Sequence, residues 1–413
     1  MSGVAAPRCS SASLERGEGY GRGVSHRPPR ASVAVLLVVG PLMAGVAAPA
    51  EAATGDGITT ADLLAGSLLV PDAPPVAVRA SEVLALTPEM REFLATHVDR
   101  RGTGKVKLHN LVAAIIDSGV FGIQYDAVTR SAAETFRARR GNCLSFAGMF
   151  AALAREVGLD ARFQEVEVPP AWTLDNDTFV LNRHVNVRVD LGREGSRVVD
   201  FNIADFRASY PMRVIADRRA MAHYGNNMAV ERMSAGDTAG ALAYLRAALA
   251  NDPSFAPAWT NLGTLYQRHG HPAHAEAAYQ QALSVARWDL VAMSNLAALY
   301  ERLGDGDRAA EYHARVVAHR LRNPYYRYNL AHQALARGEV AAAIEHLTVA
   351  VRLRPSEDQF CFLLGVAYLR AGKQAQARKW FVEAERLAAS TSLRFHYAAK
   401  IANLLGNGSP PPP

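Results

Sequence analysis

A single cysteine sits in the run Arg139-Arg140-Gly141-Asn142-Cys143-Leu144-Ser145, and a histidine follows 41 residues later in Asn182-Arg183-His184-Val185-Asn186. Asp200 then closes Val198-Val199-Asp200. A thiol at a helix start, an imidazole on a strand and a carboxylate on the next strand are the parts needed to make and orient a thiolate nucleophile. Asp190 and Asp205 lie close enough in sequence to compete with Asp200, although Asp190 falls at a strand end before a turn, where a solvated cap is the simpler use. Tyr125 and Asn142 are candidate donors to an oxyanion, and equally plausible packing or turn residues.

The elements that must position these groups are legible in the apolar spacing. Phe146, Met149, Phe150, Leu153 and Ala154 form one stripe after Cys143, closed by Gly158, which predicts a helix carrying the thiol at its N-terminal end. The period then falls to two over residues 161–166, 184–189 and 197–200, which predicts three strands with a hairpin turn at 192–195. Upstream, residues 81–120 read as two helices, and 131–140 as a third helix or turn ending at Gly141.

The order helix-borne Cys, strand, strand with His, strand with Asp, with RRGNCLSFAGMFAALAREVGLDARFQEV, RHVNVRV and RVVDFN as its residues, resembles the core of the transglutaminase-like superfamily, a papain-related cysteine fold. The likeness covers about residues 81–219. It implies an α+β papain-like domain with Cys143 as nucleophile, His184 as general base and acid, and Asp200 orienting the imidazole. Two departures stand out. Gly-Ser-Arg-Val-Val replaces the aromatic that often precedes the aspartate, and 167–181, with Pro169, Pro170 and Trp172, has the character of an insertion beside the site.

A metal site is the rival use of Cys and His. A closed zinc site needs four ligands, commonly in short-spaced pairs, and the chain has neither CxxC nor HExxH. His269, His271 and His274 cluster at a turn between two helices, where polar surface residues are expected. No glycine-rich phosphate loop follows a strand. No metal and no cofactor are expected.

Beyond residue 220 the chain repeats every 34 residues: Gly236, Gly270, Gly304, Gly338 and Gly372 recur in register with Ala241, Ala275, Ala309, Ala343 and Ala377, and with small residues at Ala229, Gly263, Ala297, Ala331 and Gly365. This is similar to the tetratricopeptide repeat, with Tyr266, Tyr300 and Tyr368 at an aromatic position and Pro253 and Pro355 ending units. The resemblance implies an all-α solenoid of five repeats over 220–405, with a capping helix at 392–405 and a Pro-rich tail at 406–413. Its first helices would line a peptide groove, with Thr260, Thr264, Tyr325, Tyr328, His332, Phe362 and Arg370 as candidates. Cys361, among Phe360, Phe362 and Leu363, reads as packing.

The N-terminal 1–52 read as an export signal: Arg22, Arg27 and Arg30 precede the apolar run SVAVLLVVGPLMAGVAA and small-residue cleavage patterns. Residues 53–80 read as a linker. An exported protein, periplasmic or secreted, is expected, touching a membrane only if the signal is uncleaved. Cys9 leaves with the signal, so Cys143 and Cys361 make no disulfide framework. The formal charge of +6 drops to about +4 once five Arg and three Glu of the first 53 residues are set aside. No basic stripe with interleaved aromatics points to nucleic acid. The resulting expectation is a cysteine enzyme acting on a peptide or amide, with a protein or peptide substrate and a protein partner on the repeats. A non-catalytic envelope scaffold is the alternative.

Overall fold

The structure is a computed structural model that describes residues 57–71, 75–116, 121–166, 184–201, 211–388 and 391–404. The signal segment, the whole 167–181 insertion, Asp205 and the 406–413 tail lie outside the described residues. The chain divides into two units, one running to His313 and one from Ala314.

The N-terminal half of the first unit is built around one buried helix. Elements α1 (Thr60–Ala65), α2 (Ala80–Val83), α3 (Pro88–His97) and α4 (Gly104–Ile116) come first, followed by β1 (Gln124–Tyr125), α5 (Ala132–Ala138) and β2 (Arg140–Gly141). Helix α6 (Cys143–Glu156) follows, and every residue from Cys143 to Ala154 is buried. Against it lies a four-stranded antiparallel sheet, order β5-β4-β3-β6, of β3 (Asp160–Val166), β4 (His184–Asp190), β5 (Ser196–Val199) and β6 (Met212–Val214). Alternation explains the packing: Val185, Val187 and Val189 of β4 and Phe163 of β3 share a core with Phe146, Met149, Phe150 and Leu153. The hairpin at 192–195 contains a short 3₁₀ turn, Gly192–Glu194.

The sequence pattern leaves out β6 and the β1–β2 pair, which are too short to show a period, and 81–120 holds α3 and α4 together with the single turn α2. The 53–80 segment is more than a linker. Thr59 and Asp62 form a capping box on α1, Leu63 is buried in the repeat core, and Tyr266 donates from its hydroxyl to the Leu63 carbonyl at 2.8 Å. Arg246 donates to the carbonyls of Leu64 and Ala65.

Helix α7 (Asp217–Ser234) belongs to both halves of this unit. Ala220 and Met221 pack in the core with α6, while Ala222, Ala229 and Met233 pack with α8 (Thr238–Asn251), α9 (Ala256–Arg268) and α10 (Pro272–Val285). Glu165 of β3 fixes the join: it accepts from Arg213 at 2.6 Å, Arg219 at 2.8 Å and His223 Nε2 at 2.7 Å, and Arg219 also reaches Asp252 at 2.8 Å. Burial would raise the Glu165 carboxyl, but the hydrogen bonds and charges of His223, Arg213 and Arg219 outweigh it and hold the group far below the usual carboxylate range.

Helices α11 (Leu290–Leu303) and α12 (Gly306–Arg322) continue the array, the unit boundary falling within α12. The second unit contains α13 (Pro324–Ala336), α14 (Val340–Leu353), α15 (Asp358–Arg370), α16 (Gln374–Leu387) and the closing α17 (Thr391–Leu404). The five repeated glycines all have φ between +72° and +78°, the left-handed turn between the helices of each pair. Gly263 answers a different need: an added Cβ would lie 2.6 Å from the Tyr279 ring and 3.0 Å from the Ala275 carbonyl oxygen. No helix among the described residues is long and apolar enough to cross a membrane.

Gly263→Val should therefore separate α9 from α10 and cost about 1–3 kcal/mol in urea denaturation. Glu165→Gln should weaken the join by a similar amount at neutral pH. A depressed carboxyl contributes stability above its unfolded value of 4.5 and loses it as pH falls. The difference between wild type and Glu165→Gln, measured by denaturation at stepped pH, should accordingly narrow below about pH 4.5.

Candidate active site

The thiol is placed by its helix cap. Asn142 is the N-cap of α6, with φ −79° and ψ 178°, and its side-chain oxygen accepts from the Ser145 amide at 2.9 Å. Gly141 before it is required by close packing, since a Cβ there would sit 2.7 Å from Ser145 Cβ. Arg139 enters this turn with φ 51°, the single non-glycine positive φ among the described residues. Cys143 thus begins the helix, where the first amides have no intrahelical acceptor and the dipole is positive.

His184 opens β4, and both Asp200 oxygens lie near its Nε2, at 2.8 and 2.7 Å. An ionised carboxylate only accepts, so Nε2 carries the proton, leaving Nδ1 as the ring nitrogen for the sulfur. Burial, the largest single influence on the imidazole, lowers its pKa; hydrogen bonds and charges from Asp200 and from the Cys143 sulfur together outweigh it and raise it to about 10. The structure therefore brings Cys143, His184 and Asp200 together. Asp190, the described rival, is exposed and accepts from the Gly192 amide at 2.8 Å, as a turn cap.

One residue of this site escaped the sequence reading. Asn186 is buried, and its Nδ2 donates to Asp200 Oδ2 at 2.9 Å. The register Val187↔Val199 sets it beside Asp200, and the two-residue spacing from His184 was the available signal.

The two oxyanion candidates part company. The Asn142 side chain is committed to capping: besides Ser145 N it accepts from Ser145 Oγ at 2.9 Å, and its Nδ2 donates to Thr129 Oγ1 at 2.9 Å. Its side chain is thus used to build the helix start, the turn role that the sequence equally allowed. Tyr125 is paired with Gly141 through the β1–β2 bridge and stacks on Phe201, the residue after Asp200, with ring centroids 6.3 Å apart.

Cys361 has a different setting. It is fully buried on α15, and burial pushes its thiol up to about 11, with Glu383 and Asp358 adding to the rise. Among the described residues no group of three His, Cys, Asp or Glu is arranged to hold a metal. His271 Nε2 lies 3.1 Å from the Leu68 carbonyl oxygen, and His269 Nε2 lies 2.9 Å from Thr238 Oγ1.

The groove candidates also divide. Thr260 and Thr264 are buried, with hydroxyls donating back to the carbonyls of Ala256 and Thr260 at 3.1 Å, so they belong to the packed face of α9 and not to an open groove. Phe362 lies between Phe381 and Tyr397, 5.5 and 5.0 Å from their centroids, and α17 takes part in covering it. Tyr325, whose hydroxyl donates to Glu357 at 2.8 Å, and Tyr328 flank Phe360 and stay half-buried. His332 and Arg370 are exposed, Arg370 also donating to the Leu335 carbonyl at 2.8 Å.

The match of the cysteine domain to a known family includes Cys143 and His184 and ends before Asp200. Residues 98–195 match the transglutaminase-like superfamily, and 226–284, 292–325 and 328–390 match the tetratricopeptide repeat. The chain carries a transglutaminase-like domain followed by tetratricopeptide repeats, an arrangement suited to protein interaction. Over 112 residues it is 36% identical to a TPR repeat-containing protein of Pseudomonas aeruginosa, which spans 27% of this chain and 42% of that protein, so it covers under half the length of this curated relative. Among solved structures it is similar to MamA (20% identity, 40% of this chain and 91% of that one, TM-score 0.23). YrrB, described as a TPR protein with an unusual peptide-binding site, has 20% identity over 43% of this chain and 91% of its own, with a TM-score of 0.23.

The raised imidazole fixes a pH window. A folded pKa of about 10 against 6.5 means that the Asp200–His184 pair contributes its full stability below pH 6.5 and loses it as pH rises toward 10. Asp200→Asn should cost about 1.5–3 kcal/mol at pH 6. The deficit, followed by chemical denaturation, should shrink steadily through pH 10.

Proposed function

We propose that this chain is a cysteine enzyme that cleaves amide or peptide bonds through a thioester, with Cys143 as nucleophile. The observation that carries the reading is His184, held by Asp200 on one ring nitrogen and bonded to the Cys143 sulfur. The imidazole and the helix N-terminus both stand beside the sulfur that would attack.

In this reading the Cys143 sulfur attacks the substrate carbonyl carbon, forming a C–S bond as the carbonyl electron pair moves to oxygen. The Cys143 backbone amide at the first helical position would meet that oxyanion, with Tyr125 as the side-chain candidate. His184 then gives its proton to the departing amine nitrogen and the C–N bond breaks, leaving the thioester. Water, losing a proton to His184, attacks the same carbon and releases the acid and the thiolate. Hydrolysis is preferred over transfer to an amine because water is always at hand, whereas transfer needs a protected amine site. Asp200 orients the imidazole, and Asn186 holds Asp200.

The repeats would bind the protein substrate or a partner, with Tyr325, Tyr328, His332 and Arg370 as the accessible groove residues. We place the mature protein outside the cytoplasm, periplasmic or secreted, on the apolar leader.

Full-length protein treated with a thiol-directed electrophile should be labelled at Cys143 faster than free cysteine, and Cys361 should stay unlabelled in the native state. Cys143→Ala should abolish both labelling and peptide turnover, read by mass spectrometry, with the fold retained. Equal labelling of the two thiols would instead favour the scaffold.

A further inference from the structure

We propose that Glu231, on the first repeat helix, is a positioning residue for the Cys143 nucleophile, acting through a hydrogen-bonded relay. The proposal rests on the reading of Cys143 as the nucleophile and adds a residue from the repeat array to its support.

The relay can be followed atom by atom. The Thr129 backbone amide donates to Glu231 Oε1 at 2.7 Å, a contact between residues 102 apart in sequence. Thr129 Oγ1 accepts from Asn142 Nδ2 at 2.9 Å. Asn142 Oδ1 in turn accepts from the amide and hydroxyl of Ser145, each at 2.9 Å. The ring closes where Ser145 Oγ accepts from the amide of Arg130, the neighbour of Thr129, at 2.9 Å. Thr129, Asn142 and Ser145 are 4%, 7% and 2% exposed, so water competes little for these bonds.

Two bonds therefore tie the Thr129–Arg130 segment to the first turn of the helix that begins with Cys143, and the Glu231 carboxylate holds the segment from outside. A carboxylate accepting an amide proton at this distance is a charge-assisted bond, stronger than its neutral neighbours. Losing it frees Thr129 to shift, and the Asn142 cap, one residue before the thiol, shifts with it. Reactivity at an oriented nucleophile responds to displacements of about 1 Å with rate changes of up to about 100-fold. Glu231 stands on α7 between Ala229 and Met233, whose packing in the repeat core holds the helix that carries the carboxylate.

The test uses the full chain, with iodoacetamide as probe and mass spectrometry to separate the two cysteines. The pH dependence of Cys143 alkylation is measured for wild type, Glu231→Ala, Glu231→Gln and Thr129→Val. Glu231→Ala should slow Cys143 alkylation at neutral pH about tenfold and shift its pH profile. Glu231→Gln, whose amide oxygen still accepts the Thr129 proton, should recover most of the rate. Thr129→Val keeps the bond to Glu231 but loses the acceptor for Asn142, so it should reproduce the Glu231→Ala profile even if that variant folds poorly. A fast Cys143 with the wild-type profile in both Glu231→Ala and Thr129→Val overturns the relay and leaves the nucleophile standing. A wild-type Cys143 no faster than free cysteine overturns the nucleophile reading and the relay together.

Discussion

The burial of one helix governs the cysteine domain. Helix α6 presents apolar or small side chains on every side, so it settles only where helices and a sheet enclose it completely. Once enclosed it has no freedom to slide, because cores are close-packed and resist small shifts. Its N-terminal end is fixed as a consequence, and with it the sulfur. The polar cap of Asn142, Thr129 and Ser145 gives the buried start of this apolar helix one acceptor, for the Ser145 amide.

The sheet supplies the opposing half of the site by register. Val187 pairs with Val199, and this one alignment sets the core valines toward α6 while Asn186 and Asp200 meet beside them. A one-residue slip would exchange the two sets and bury the carboxylate among valines. Electrostatics then complete the arrangement: a carboxylate buried with few partners would be costly, and here it is matched by the imidazole and the Asn186 amide.

The repeats are joined to this domain through a shared helix. Helix α7 contributes Ala220 and Met221 to one core and Ala229 and Met233 to the next, so a boundary drawn at residue 220 cuts through a helix that neither core can spare. The Glu165 cluster adds directional bonds to that apolar join. The docking of α1 adds a tie from the N-terminal side, where Arg246 and Tyr266 satisfy carbonyls at the helix end.

The chain by itself determined the features that depend on local period and residue type. The 34-residue register shows in the sequence because each turn needs a left-handed residue and each helix pair a small one; Gly270 and Gly263 meet these two needs in the structure. The thiol at a helix start could be read from Asn142-Cys143 and the stripe behind it, and the histidine from its place on an alternating strand. Only the tertiary structure decided what depends on pairs distant in the chain. That Asn142 turns its amide to Thr129, that Asn186 supports Asp200, and that Thr260 and Thr264 face inward follow from packing partners that no local pattern names. The same holds for α1, whose six residues are too few to form a stable helix alone and gain their order from the repeat surface they cover.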